Sequence, residues 1–130
     1  MFKVIQWATG GVGKAAISYI AAHPQLELVG CWVSSDDKVG RDVGEICGLP
    51  ALGVIATSDV EVLMALDADC VMYSPVMADR ALVSRLLASG KNVVTPLGWF
   101  IRGTEMSVIS RLRAWKEAQH CTALVFTLAV

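Results

Sequence analysis

Short apolar runs alternate along the chain with segments whose apolar residues recur at helical spacing. Lys3 to Trp7 reads as a strand. Gly13 to His23 reads as a helix, with Ile17, Ile20 and Ala21 on one face and Pro24 as its stop. Leu26 to Val33 is a second strand. Asp36 to Leu52 holds Gly40, Gly44, Gly48 and Pro50, and predicts an irregular connection with one helical turn. Gly53 to Thr57 is a short third strand. Ser58 and Glu61 have the spacing of a capping box, which places Ser58 at the start of a helix through Leu66. Asp69 to Ser74 is a fourth strand, ended by Pro75. Asp79 to Ser89 is a helix with Gly90 where a left-handed residue is wanted. Asn92 to Thr95 is a fifth strand, ended by Pro96. A last helix is predicted over Thr104 to Gln119, and a sixth strand over Thr122 to Val130.

These strands are apolar on both faces, so they belong in a parallel sheet covered on both sides by helices. Right-handed crossovers then give a doubly wound, Rossmann-type α/β sheet of about six strands. No linker, repeat or low-complexity segment interrupts the 130 residues, which read as one domain.

Composition narrows the function. Hydrophobic residues make up 55% and charged residues 18%, as in a chain with a sizeable core. Net charge is -1 and no basic run occurs, which argues against nucleic acid as a partner. Cys31, Cys47, Cys70 and Cys121 form no CxxC pair. That spacing argues against zinc, so no metal is expected, and it fits reduced thiols in a cytoplasmic protein. The N-terminal segment lacks a signal-peptide pattern, and no apolar run reaches the roughly 20 residues of a membrane span.

The candidate chemistry lies in "WATGGVGK". Against the dinucleotide-binding spacing G-x-G-x-x-G, the three positions are Ala8, Gly10 and Gly13. The first makes the tight turn, the second lets backbone approach a pyrophosphate, and the third lets helix pack on strand. Ala8 adds a methyl group, which a negative φ would accommodate. The candidate cofactor-binding residues here are Ala8, Thr9, Gly10, Gly11, Val12 and Gly13, with first-turn N–H groups and the helix dipole directed at phosphate. Glycines also punctuate ordinary strand-to-helix turns. Here the loop follows a strand, precedes a helix and stands at the first such turn of an alternating pattern.

About 20 residues further on, NAD-specific domains place a carboxylate on the ribose 2′-hydroxyl. This chain has Ser34 and Ser35 there, followed by Lys38 and Arg41. Neutral donors and a cation suit a 2′-phosphate, so Ser34, Ser35 and Lys38 favour NADP, with NAD possible. Asp36 and Asp37 complicate that reading, and an ordinary polar turn remains the alternative for Lys38.

The segments "ATGGVGKAAI", "LVGCWVSS", "GRDVGEICGL", "ADCVMYSPV" and "LLASGKNVVTP" resemble the nucleotide-binding domain of the dihydrodipicolinate reductase family. "QWATGGVGK", "VSSDDKVGRDVG" and "NVVTPLGWF" are more similar to its 2,4-diaminopentanoate dehydrogenase and NAD(P)H-dependent amine dehydrogenase members. The resemblance implies hydride transfer to a C=N or C=O carbon. It implies that Ser74, Pro75, Thr95, Pro96 and Gly98 border the nicotinamide and its ribose. It implies a catalytic carboxylate at Glu105, which helical placement in a first turn would equally explain. Trp99 and Phe100 read either as walls of an apolar substrate pocket or as core.

The family also carries a second domain that binds substrate and builds an oligomer, with a His/Lys motif that this sequence lacks. His23 and His120 are poorly placed to replace it. Three readings stand: a cofactor-binding domain of an NAD(P)H-dependent oxidoreductase acting on a small molecule, a non-catalytic cofactor-sensing or interaction module, and a truncated remnant.

Overall fold

A computed structural model describes residues 1–97 and the backbone of residues 126–127. Strands β1 (Phe2–Trp7), β2 (Leu26–Trp32), β3 (Ala56–Thr57), β4 (Cys70–Tyr73), β5 (Asn92–Thr95) and β6 (Phe126–Thr127) form one sheet. Its order is β3-β2-β1-β4-β5-β6 and every pairing is parallel. Between them lie α1 (Gly11–Ala22), α2 (Val43–Cys47), α3 (Val60–Ala65) and α4 (Arg80–Ala88). The chain winds outward from β1 in one direction and from β4 in the other. This is the doubly wound α/β architecture expected from strands apolar on both faces.

Alternation along the strands builds two cores. Ile5, Trp7, Val71, Tyr73 and Val93 pack with Leu63 of α3 and with Val83, Leu86 and Leu87 of α4. Ile17 of α1 packs with Cys31, Val33 and Ala56, and with Val43 and Ile46 of α2. Gly30 belongs to the first core by need: a Cβ there would meet the Leu63 and Leu66 side chains at 2.8 and 2.7 Å. Its absence lets α3 settle onto β2.

Two local expectations change. Helix α1 starts at Gly11 and not Gly13, because Gly10 is already its N-cap. Helix α3 is capped by Asp59 and not Ser58. The Asp59 carboxylate accepts from the N–H groups of Glu61 and Val62. The Ser58 carbonyl instead accepts the Trp32 indole N–H at 3.2 Å, and Asp59 takes the extended N-cap conformation. Elsewhere the local signals hold: Asp79 caps α4, and Gly90 follows it at φ +89.

The long connection after β2 is organised by Asp42. Its carboxylate accepts from the N–H groups of Gly44, Leu52 and Gly53, capping α2 and closing the loop behind it. These bonds hold the Asp42 carboxyl below the usual aspartate range, the Leu52 N–H contributing most.

Candidate functional site

Parallel strands of a doubly wound sheet present their carboxyl ends together, and the crevice forms where the winding direction reverses. Here that point lies between β1 and β4. A groove of about 460 Å³ opens there. The loop after β1 supplies Ala8, Thr9 and Gly10 to it, the end of β2 supplies Trp32 and Ser34, and the following turn supplies Lys38. Ser74, Pro75, Val76 and Met77 form the opposite rim beyond β4.

Ala8 departs from the sequence expectation. Its φ is +77, so the tight turn is made by a left-handed alanine and not by one at negative φ. That conformation costs a non-glycine residue about 1 kcal/mol. The Ala8 carbonyl is directed at Gly13, where an added Cβ would collide with it. Gly13 is therefore required by packing within the chain. Gly10 is different: its φ is -70 and a Cβ would meet no atom of the described residues within 4 Å. Neither a positive φ nor a contact with the described residues calls for glycine at position 10, where its local role is the N-cap of α1.

The N-terminus of α1 is uncapped by any side chain, and its first turn holds no acidic residue. By contrast α2, α3 and α4 are each capped by an aspartate. Gly11 and Val12 are exposed at this end of the helix, next to Gly10. The end therefore presents unneutralised N–H dipoles towards the groove.

Lys38 and Thr9, far apart in sequence, meet at the groove: the Lys38 ammonium donates to Thr9 Oγ1 at 3.2 Å. Thr9 is buried and Ser34 is exposed. Ser35 does not line the groove. Its carbonyl accepts the Lys38 N–H at 3.0 Å, forming the turn that carries the lysine back over the loop. Thr95 is fully buried, and its Oγ1 accepts the Leu97 N–H at 3.2 Å. Gly98, Trp99, Phe100 and Glu105 lie outside the described residues. His23 is engaged at the far end of α1, where its Nδ1 accepts the Gln25 N–H.

Sequence reading missed two contributors. Trp32 stacks on Trp7 with centroids 5.3 Å apart and planes 9° from parallel. It lines both the groove and a neighbouring recess of about 360 Å³, which also takes in Val60, Tyr73 and Arg85. Gln6 lies fully buried beneath the loop and donates from Nε2 to the Ala8 carbonyl and to Ser74 Oγ, each at 2.9 Å. A tryptophan at the end of each of two adjacent strands was a signal for the stack. A glutamine in an otherwise apolar strand was a signal for the second. A separate apolar hollow of about 550 Å³ between α1 and strands β1, β4 and β5 holds none of the expected site residues.

Among the described residues no group of three or more His, Cys, Asp or Glu side chains could hold a metal ion. No helix among them is long and apolar enough to cross a membrane.

Comparison with known proteins agrees with this fold. Residues 4–96 match the family model described as dihydrodipicolinate reductase, N-terminus. An amine dehydrogenase of Streptomyces virginiae is 41% identical over 102 residues, covering 74% of this chain and 28% of that protein. The structure of an amine dehydrogenase from Mycobacterium smegmatis superposes with a TM-score of 0.77 at 22% identity, over 90% of this chain and 36% of that one. A biliverdin reductase from Synechocystis, solved with biliverdin and NADP+, gives a TM-score of 0.68 at 16% identity, over 95% of this chain and 37% of its own. The chain thus spans between a quarter and two fifths of the length of these relatives.

Proposed function

Because the chain belongs to the dihydrodipicolinate reductase N-terminal family, we propose that its groove binds a nicotinamide dinucleotide, with NADP preferred over NAD. The domain is of the NAD(P)H-dependent oxidoreductase type. The observation that carries the binding reading is Gly10. Nothing among the described residues occupies the space beside it, which leaves the backbone open to the approach of a ligand. The uncapped start of α1 offers N–H groups to a pyrophosphate at the same place.

The residues present fit such a ligand. Gly10, Gly11, Val12 and Gly13 would hold the pyrophosphate through backbone N–H groups. Ser34 and Lys38 would receive a 2′-phosphate, through a hydroxyl donor and a cation. Thr9 steadies the Lys38 ammonium. The recess walled by Trp32, Val60 and Met77 has the apolar, partly aromatic character an adenine ring needs. Ser74 and Pro75 would border the ribose nearer the nicotinamide. A bound nicotinamide supplies the hydride.

For the full-length oxidoreductase, the proposal extends to a small-molecule substrate reduced at a C=N or C=O carbon. Glu105 is then the carboxylate that stabilises an iminium cation. Glu105→Gln would spare NADPH binding and remove most reductive amination. Unchanged amination would reject the role.

Titration of the chain with NADPH and NADH, followed by nicotinamide fluorescence, tests the central claim. NADPH should bind, and more tightly than NADH. Binding of neither at about 1 mM would overturn it, since that limit corresponds to less than about 4 kcal/mol of affinity.

A further inference from the structure

We infer that Gln6 is a positioning residue of this groove, holding Ala8 in its left-handed conformation. The inference rests on the nucleotide-binding reading for its functional consequence, and on hydrogen-bond geometry for its physical basis.

Gln6 stands in β1 between Ile5 and Trp7 with no exposed surface. A carboxamide buried there is unfavourable unless its polar atoms are satisfied. The nitrogen is: Nε2 donates to the Ala8 carbonyl at 2.9 Å and to Ser74 Oγ at 2.9 Å, with the Trp7 carbonyl more distant at 3.3 Å. Ser74 Oγ in turn donates to the Trp7 carbonyl at 3.2 Å, so it accepts from Gln6. This network sets the orientation of the amide, because the reverse would press Oε1 against two carbonyl oxygens. Oε1 itself has no partner among the described residues. Only the donor half of the side chain is used, and it is used on the loop.

The target explains the need. Ala8 occupies a backbone region where glycine is at ease and alanine is not. Its carbonyl accepts from Nε2 and abuts Gly13. That fixes the peptide leading into Thr9 and Gly10, the backbone that faces the ligand. The same nitrogen reaches Ser74 Oγ, which helps hold the amide in the orientation that presents Nε2 to Ala8. An alanine can stand at the first motif position because Gln6 holds it there.

The claim makes Gln6 dispensable once position 8 is glycine. Four forms of the chain test it: wild type, Gln6→Met, Ala8→Gly, and both together. NADPH affinity is measured on the folded fraction and stability by urea unfolding. Gln6→Met should weaken NADPH binding by about tenfold, as loss of a buried hydrogen bond at the site would. The double variant should bind within about threefold of Ala8→Gly, a non-additivity that a merely structural role would not give. Equal losses in the two backgrounds, or unchanged affinity in folded Gln6→Met, would overturn the inference. If Gln6→Met fails to fold, folding restored by Ala8→Gly supports it and continued failure rejects it. Absence of NADPH and NADH binding in wild type would sink the nucleotide reading instead, while the urea measurements still report whether residues 6 and 8 are coupled.

Discussion

The carbonyl of Ala8 lies so close to Gly13 that any side chain at position 13 would collide with it. The contact joins the left-handed turn to the first helix, and only glycine permits it. Gly13→Ala should therefore destabilise the fold by about 1–3 kcal/mol, the range for overpacking a tight contact. Gly10→Ala should cost no more than about 1 kcal/mol, the N-cap preference for glycine over alanine, because its Cβ meets none of the described residues. It should nevertheless weaken NADPH binding by about tenfold or more. Urea unfolding and cofactor titration on both variants separate the two roles. A large stability loss at position 10 would contradict the open space seen there.

Lys38 should report on cofactor choice. Its ammonium sits on Thr9 at the groove, where a 2′-phosphate would form a charge-assisted bond. Lys38→Met should weaken NADPH by about tenfold and NADH by less than about threefold. Equal losses for the two would show that Lys38 does not face the 2′ position.

Asp42 links stability to pH. Its carboxyl is held below the usual range by backbone N–H groups, first that of Leu52. The ionised form is thus favoured in the folded state. Its contribution is fully present above the ordinary aspartate value of about 4 and is lost as pH falls through the lower folded value. Asp42→Asn should unfold at lower urea than wild type at pH 7, and the gap should narrow in acid below pH ~4. A gap constant across that window would mean that the three backbone bonds do not depend on the charge.

The thiols of Cys31 and Cys70 should resist alkylation in the native protein. Burial pushes Cys31 up to about 12 and Cys70 up to about 11, so little thiolate forms near pH 8. Peptide mapping after brief exposure to a maleimide should find both largely unmodified, and both modified in urea. Rapid native labelling of Cys31 would show that the core between α1 and α2 opens readily.

The sequence by itself determined the order of strands and helices through residue 97 and the place of the crevice. Period-two and period-3.6 patterns are local, and so are the cap at Asp79 and the left-handed Gly90. Parallel pairing and right-handed crossovers then leave few arrangements of those elements. The glycine loop was legible for the same reason, since spacing alone places its residues between strand and helix.

Tertiary structure decided the rest, because those features depend on what lies beside a residue and not on its neighbours in sequence. Alanine at position 8 suggested a negative φ, and the carbonyl contacts with Gln6 and Gly13 instead secure it at +77. Ser35 and Lys38 looked equally placed, yet the turn after β2 turns one away and brings the other onto Thr9. The Trp7–Trp32 stack follows from the register of β1 against β2, which sets those two residues side by side. Gln6 reads as an exception in an apolar strand until Ser74, 68 residues later, is folded against it.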